Sequence, residues 1–189
     1  MIEVKGIQKS FGDTPILKGI DATFEKGKTS LIIGQSGSGK TVFLKSLLGL
    51  HVPEFGSIAF NGKISKEIEG DEKRQLRQEI GMVFQGSALF DSLTVEENVM
   101  FPMQMFTNKS ISEMLERVNK VLKRVNLINA NKKFPAELSG GMQKRVAIAR
   151  AIVMNPKYLF CDEPNSGLDP KTAIVIDNLI QEITDEFQI

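Results

Sequence analysis

A glycine-rich stretch at residues 34–41 has the residue types and the spacing, G-x-x-x-x-G-K-T, of a phosphate-binding loop. Its glycines allow the backbone to wrap around phosphate groups and to point N–H groups at them. A helix that starts near Lys40 would add the positive end of its dipole. Lys40 would bridge the β- and γ-phosphates of a nucleoside triphosphate, and the Thr41 hydroxyl would ligate Mg²⁺. The alternative is a chance loop of glycine and serine.

Two carboxylates follow an apolar run that is typical of a strand. Tyr158–Cys161 is this run, and Asp162 and Glu163 come directly after it. Asp162 suits the shell of a Mg²⁺ ion, and Glu163 suits a general base that polarises an attacking water. The alternative is a strand that ends in two solvated acids. Cys161 is interpreted as a small buried residue of the strand rather than a redox group.

The elements around these residues alternate between strands and helices. An apolar run at 30–33 predicts a strand before the loop, and leucines at helical spacing predict a helix after it. The start of the chain predicts a hairpin-rich β layer, and residues 80–84 predict a further strand. Two capping boxes, Thr94 with Glu97 and Ser110 with Glu113, and an apolar stripe from Ile111 to Val125 predict a helical region. A helix at about 140–153, a strand at 157–161 and a final amphipathic helix complete a parallel-sheet pattern.

Length and composition limit the class of protein. The chain has 189 residues, 41% of them hydrophobic and 25% charged, with one Cys, one His and a net charge of +1. The composition excludes a disordered, collagen-like or coiled-coil chain. The net charge gives no overall positive field that would favour nucleic acid. No apolar run could span a bilayer, and no signal peptide is recognisable. We expect a soluble intracellular domain that binds no nucleic acid, with His51 on its surface.

Four further features of the sequence lie in a fixed order around the two motifs. Leu138-Ser139-Gly140-Gly141-Met142-Gln143 resembles the LSGGQ signature of ATP-binding cassette (ABC) ATPases. Gln85 matches the Q-loop glutamine of that family, and Ser166-Gly167-Leu168-Asp169 matches its D-loop. Phe11 matches the aromatic residue that stacks on adenine. The resemblance covers essentially the whole chain.

The resemblance implies an α/β fold of the P-loop NTPase (RecA-like) type. In this fold a parallel-sheet core carries an N-terminal antiparallel β layer and an inserted helical subdomain. We therefore expect one ABC ATPase domain over residues 1–189, incomplete at its C-terminus. Its α/β core would comprise residues 1–91 and 154–189. Its helical subdomain, which contains the signature, would comprise residues 92–153.

The resemblance also implies roles for individual residues. ATP and Mg²⁺ would be the cofactors, and two ATP molecules would be sandwiched in a head-to-tail homodimer of ATPase domains. The implied catalytic residues are Glu163, Gln85 and Lys40, and the implied Mg²⁺ ligands are Thr41, Gln85 and Asp162. The implied ATP-binding residues are Phe11, Gly34, Gln35, Ser36, Gly37, Ser38, Gly39, Lys40, Thr41, Val42, Ser139, Gly140 and Gly141. A plain helix cap is the alternative for residues 139–141, and a core aromatic is the alternative for Phe11.

Within the family, residues 84–99 and Met142 of the signature look like the Mla-type ATPases. That group resembles the energy subunit of transporters for phospholipids or organic solvents. Such a subunit is cytoplasmic and peripheral on the cytoplasmic face of the bacterial inner membrane. Its implied partners are an integral-membrane permease and a lipid-binding substrate carrier. The permease would dock in a groove for which the candidates are Phe84, Leu89, Phe90, Leu93 and Phe101, with Leu89 and Phe90 the first choices.

Some positions depart from the family pattern. Val42 and Asn165 each replace a common Thr, and Met142 replaces Gln. The family also has a switch histidine on a strand beyond the last helix, whereas this chain ends at Ile189 and His51 lies elsewhere. From this we expect a chain that binds ATP but hydrolyses it slowly, to be tested by turnover at saturating ATP against a longer chain.

Three other functions stay open at this point. An amino-acid or other small-solute importer would share every catalytic motif. A non-transport ABC ATPase of DNA repair or translation is disfavoured, because Gln85 and Ser139 are too close for a long inserted coiled coil and only one cassette is present. A nucleotide-binding module without turnover is the third, and substitution of Glu163 by Gln would discriminate it.

Overall fold

A computed structural model describes all 189 residues, which form two compact units, Met1–Gln75 and Leu76–Ile189. The first unit contains an antiparallel sheet in the order β2-β1-β3-β4, where β1 is Ile2–Phe11, β2 is Thr14–Phe24, β3 is Phe55–Phe60 and β4 is Lys63–Ile64. Helix α1 spans Lys40–Leu47 and a 3₁₀ turn spans Ser65–Glu67, and α2 (Gly70–Gln78) begins in this unit and ends in the second. The predicted hairpin-rich layer is thus present.

Alternating apolar residues build this sheet. Ile2, Val4 and Ile7 of β1 are buried, whereas their polar neighbours are not, as expected for a strand with one covered face. Helix α1 contributes Phe43, whose ring lies 6.4 Å from that of Phe24 on β2. The helix that begins at Lys40 therefore has its apolar side packed on the sheet.

The predicted strand at residues 30–33 is wrong. These residues have no regular secondary structure, and neither sheet includes them. Leu31 is 82% exposed and Ile33 is 85% exposed. A strand exists only as part of a hydrogen-bonded ladder, and this apolar run has no paired neighbour.

The second unit combines two parallel strands with four helices. Strand β5 (Ile80–Val83) pairs with β6 (Tyr158–Cys161), so that Val83 lies opposite Cys161. The helices are α3 (Val95–Phe106), α4 (Ile111–Arg124), α5 (Gly140–Ile152) and α6 (Pro170–Phe187), with a 3₁₀ turn at Pro135–Glu137. None of the helices is long and apolar enough to cross a membrane.

Helix α5 is the centre of the second core. Its residues Val146, Ala147, Ile148 and Ala149 have no exposed surface. A Cβ atom on Gly81 of β5 would lie 2.4 Å from the Ala151 carbonyl oxygen, so only glycine allows this helix to approach the strand so closely. The predicted helix at about 140–153 is confirmed.

Both predicted capping boxes are present, at the starts of α3 and α4. The hydrogen bond from the Thr94 hydroxyl holds the pKa of the Glu97 carboxyl below its usual value, as expected for a carboxylate that accepts two donors. In the predicted apolar stripe Met114, Val118, Val121, Leu122 and Val125 are buried and Leu115 is half-buried, but Ile111 in the first turn of α4 is 67% exposed. The predicted boundaries of the α/β core and of the helical subdomain at 92–153 stay a prediction.

Candidate nucleotide site

The phosphate loop lies in the first unit, between an irregular segment and helix α1. Its backbone turns on a hydrogen bond from the Ser38 N–H to the Gln35 carbonyl, and residues 33–38 are exposed. Gly39 is the N-cap of α1, with no side-chain capping bond and no acidic residue in the first turn of the helix. The positive end of the helix is therefore left without a competing carboxylate, which fits a phosphate ligand.

Lys40 is folded back over this loop. Its Nζ donates to the carbonyl oxygens of Gly34 at 2.9 Å and Gln35 at 3.1 Å. The ammonium group is thus held inside the loop by backbone acceptors that are weaker partners than phosphate oxygens. A phosphate that entered the loop would meet this charge directly.

Two glycines are fixed by the loop's conformation. Gly39 has a φ of 95°, and a Cβ atom there would lie 2.9 Å from the Ile16 side chain. Gly37 has a φ of 80°, with open space where a Cβ atom would be. Both backbones are in the region that L-residues avoid, and Gly39 is restricted by packing as well.

Phe11 ends strand β1 and is 47% exposed, so it is not a core aromatic. His51 meets its ring edge-on, with ring centroids 5.2 Å apart, and the Lys9 ammonium lies 5.3 Å from the ring centroid. Lys9 is itself paired with Glu54. The single histidine, expected only to be at the surface, therefore supports the aromatic ring for which adenine stacking is predicted.

In the second unit, Gln85 and Glu163 meet. They are 78 residues apart in sequence, and the Gln85 Nε2 donates to the Glu163 Oε2 at 2.9 Å. Gln85 follows β5 and Glu163 follows β6, so the parallel pairing of these strands brings the two side chains to one edge. The Ser166 hydroxyl lies 3.4 Å from the same amide nitrogen.

The backbone of Glu163 has a φ of 45°, an unusual left-handed value for a residue other than glycine. The preceding Asp162 is half-buried, and its N–H donates to the Val83 carbonyl at 2.9 Å. Asn165 donates to both oxygens of Asp177 on α6, at 3.2 and 3.0 Å. This replacement of a common Thr therefore ties the turn after Glu163 to a helix.

The signature residues lie where α5 begins. Ser139 is the N-cap, and its hydroxyl accepts from the Met142 N–H at 3.3 Å. A Cβ atom on Gly141 would lie 2.8 Å from the Thr172 side chain, so packing against α6 disfavours any larger residue there. Met142 packs against the core of the second unit. Ser139 therefore caps the helix, as in the alternative interpretation of residues 139–141. This cap is compatible with an anion bound at the N–H groups of the same helix terminus.

No group of three or more His, Cys, Asp and Glu residues is arranged to hold a metal ion. A Mg²⁺ ion that arrives with ATP needs few protein ligands, because phosphate oxygens and waters supply most of them. Thr41 belongs to the first unit, and Gln85 and Asp162 belong to the second. The residue types fit Mg²⁺·ATP, and the roles assigned to individual residues stay predictions.

An apolar groove of about 290 Å³ lies in the second unit, next to the segment that follows Gln85. Phe84, Phe90 and Phe101 line it, and the rings of Phe90 and Phe101 are 4.8 Å apart. Leu89, one of the two residues preferred for the interface, packs against the core instead. Leu93 is not among the lining residues. Apolar periodicity could not distinguish Leu89 from Phe90, because they are neighbours on an irregular loop.

Sequence reasoning missed two cations of α5. Lys144 and Arg150 donate to backbone carbonyls of the segment that contains Gln85. Their positions on the buried side of the signature helix were the available signal, since charged residues in such places are normally paired.

The comparisons with known proteins identify the family. The ABC transporter family model matches residues 17–166 of this chain. The chain belongs to the ABC transporter ATP-binding family, and its predicted fold class is confirmed. It aligns over its full length with the dimeric ABC transporter cassette MJ0796, with a TM-score of 0.89 and 33% identity, and covers 84% of that chain.

Curated relatives carry different substrate names. The chain is 44% identical to the probable ribonucleotide transport ATP-binding protein mkl of Mycobacterium leprae over 96% of its length. It is 44% identical to the methionine import protein MetN of Clostridium tetani over 100%, and 41% identical to TRIGALACTOSYLDIACYLGLYCEROL 3 of Arabidopsis thaliana over 98%. The chain spans only 52%, 59% and 56% of these three relatives.

Proposed function

We propose that this protein is the ATP-binding and ATP-hydrolysing subunit of an ABC transporter. The observation that carries the proposal is the 2.9 Å hydrogen bond between Gln85 and Glu163 at the ends of two parallel strands. It joins a side chain able to orient a water to one able to take its proton. A nucleotide-binding module without turnover would need neither group in that arrangement.

In this proposal each residue has one task. The N–H groups of the loop and the Lys40 ammonium bind the β- and γ-phosphates and offset the charge that develops during transfer. Gln85 orients a water, and Glu163 accepts a proton from it as its oxygen attacks the γ-phosphorus. The bond from this phosphorus to the β–γ bridging oxygen breaks, and ADP is the leaving group. Bound Mg²⁺ would neutralise phosphate charge. Phe11, supported by His51 and Lys9, would stack on adenine.

We further infer that two copies bind ATP between them. The exposed phosphate loop and the N-terminus of α5, with Ser139, Gly140 and Gly141, both present N–H groups suited to phosphate. The similar cassette MJ0796 is described as dimeric. In a head-to-tail pair, the signature of one copy would meet the γ-phosphate bound by the other.

A lipid-like substrate is the favoured cargo, carried by a permease with a lipid-binding protein as a further partner. The Mla-type residues at 84–99 support it, as does the relative named after the glycolipid trigalactosyldiacylglycerol. The permease would contact the groove of Phe84, Phe90 and Phe101, and the protein would then lie on the cytoplasmic face of a membrane. Apolar rings exposed in a groove are suited to receiving a helix.

The runner-up is an importer of an amino acid or another small solute. The relatives named for methionine and ribonucleotide transport support it, at 44% identity each. The predicted ATP-binding residues would serve both cargoes equally, since the permease selects the substrate.

One experiment separates these cargoes. The protein is co-purified with its permease, placed in lipid nanodiscs, and its ATP hydrolysis is measured with phospholipid of varied head group, methionine, glutamate or a ribonucleotide. Lipid transport predicts stimulation that follows the phospholipid composition and no response to the three small solutes. Stimulation by one small solute alone would establish the runner-up. A Glu163→Gln complex, which should show no hydrolysis, is the control for contaminating ATPases.

A further inference from the structure

The turn after Gln85 has an unfavourable backbone. Ser87 and Ala88 are consecutive residues with positive φ angles of 62° and 46°, and neither is glycine. Such a pair persists only where surrounding contacts determine it. Two amides around the turn are hydrogen-bonded, that of Ser87 to the Phe84 carbonyl and that of Phe90 to the Asn98 side chain.

Helix α5 supplies two cations to the carbonyls of this turn. The Lys144 Nζ donates to the Gln85 carbonyl oxygen. The Arg150 guanidinium donates to the Ala88 and Ser87 carbonyls, each at 2.8 Å. The helix thus holds three of the four carbonyls from Gln85 to Ala88, on both sides of the turn.

Lys144 has its ammonium nitrogen in an unfavourable, buried environment. The residue is only 5% exposed, and burial lowers the pKa of its ammonium, while the negative charge of Glu163 opposes that shift. Burial of a lysine is costly unless its donors are used. No buried side-chain polar atom in the chain lacks a hydrogen-bond partner, so the arrangement is complete.

The same two cations connect the chemistry to the groove. Lys144 binds the backbone of Gln85, and the side chain of Gln85 reaches Glu163. Arg150 lies with its guanidinium carbon 5.9 Å from the ring centroid of Phe90, which lines the groove. One rigid helix therefore holds the catalytic end and the groove end of a single strained turn.

We propose that Lys144 and Arg150 are positioning residues that brace this turn, Lys144 setting Gln85 against Glu163 and Arg150 setting Phe90 in the groove. Only the expected effect of the brace on ATP hydrolysis rests on the proposed function. The brace connects α5, whose N-cap is Ser139 of the signature, both to Gln85 and to the groove.

Amide hydrogen exchange of the whole protein tests the brace without any turnover. Lys144→Met should speed exchange of the Ser87 and Phe90 amides at least tenfold, whereas Lys144→Arg, which restores a donor, should recover most of the protection. Arg150→Lys should raise the same rates, because a lysine lacks the planar, pre-organised fork with which the guanidinium reaches both carbonyls. Exchange in α4 should stay within twofold.

Arg145 provides the matched control on the same helix. It also donates to backbone carbonyls, those of Val125 and Asn126 at 3.3 and 3.4 Å, but in a different loop. Arg145→Gln should leave Ser87 and Phe90 within twofold of wild type. Equal acceleration of these two amides in the Lys144 and Arg145 variants would overturn the brace, as would unchanged exchange in Lys144→Met. Should Lys144→Met fail to fold, Arg150→Lys decides by the same criterion.

Steady-state kinetics provide the second readout. Lys144→Met should lower kcat roughly tenfold and leave the KM for ATP within about twofold, since phosphate binding by the loop is untouched. If the wild-type protein hydrolyses no ATP but exchange is faster in Lys144→Met, the brace is retained and the proposed function is excluded. If the wild-type protein hydrolyses ATP but exchange is unchanged in Lys144→Met, the proposed function is retained and the brace is excluded.

Discussion

The phosphate loop and the Gln85–Glu163 cluster reach their shapes in opposite ways. The loop is one continuous segment, shaped by glycines with positive φ and by its own carbonyls, which hold Lys40. The cluster is assembled from segments 78 residues apart and depends on strand pairing and on cations from α5. Backbone N–H groups suffice to bind a phosphate, but orienting a water requires side chains that are themselves held.

Substitutions in the two regions should therefore differ in how far their effects extend. Loss of the Lys40 ammonium should be confined to ATP binding, because its hydrogen bonds stay within the loop. Damage to the cluster should spread to the segments that support it.

The largest effect should be on the reactivity of Cys161, which ends the strand that carries the cluster. Burial raises the pKa of this thiol to about 12. The thiolate, which is the reactive form, should therefore appear only as the pH approaches that value. At pH 8, alkylation by iodoacetamide should be roughly a thousandfold slower in the folded protein than in urea. Alkylation at equal rates would show that β6 is open and that the cluster lacks its buried support.

The loop itself is tested at Lys40. Lys40→Met should weaken ATP binding roughly 50-fold, because charge-assisted hydrogen bonds to phosphate are lost. Lys45→Met, in the last turn of the same helix, is the control and should change the affinity less than twofold. Isothermal titration with a non-hydrolysable ATP analogue gives both values. Similar affinities for the two variants would contradict the assigned role of the loop.

The glycines of the loop allow a matched pair of substitutions. Gly39→Ala should lower the free energy of unfolding by about 2–3 kcal/mol, because a strained φ is combined with a contact at 2.9 Å to Ile16. Gly37→Ala meets open space and should cost about 1 kcal/mol. Urea unfolding of both variants measures the difference. Equal costs would mean that packing on β2 does not constrain the loop.

The smallest effect should come from Asn165. Its amide bridges the turn after Glu163 to Asp177, so Asn165→Ala should lower the free energy of unfolding by about 1 kcal/mol. Asn165→Asp should cost more, since it sets like charges together. Thermal unfolding distinguishes them, and an unchanged melting temperature in both would show that the bridge contributes nothing.

Features that depend on residues close together in the sequence could be predicted, because the contacts that form them lie within the same short segment. The loop, the helix after it, both capping boxes and the α/β fold class follow from residue types at short spacing. The strand at 30–33 was wrong because pairing is not a property of the apolar run itself. The contact between Phe11 and His51 and the brace of Lys144 and Arg150 could not be predicted, since each depends on which distant backbone a side chain meets.

Glu163 is proposed to act on ATP bound between two copies of this protein, and sedimentation velocity can detect that dimer. Glu163→Gln should be monomeric alone and should become a dimer with saturating Mg²⁺·ATP, because the nucleotide is bound but not cleaved. The double variant Lys40→Met, Glu163→Gln should stay monomeric under the same conditions. A Glu163→Gln protein that binds ATP and remains a monomer would contradict the account.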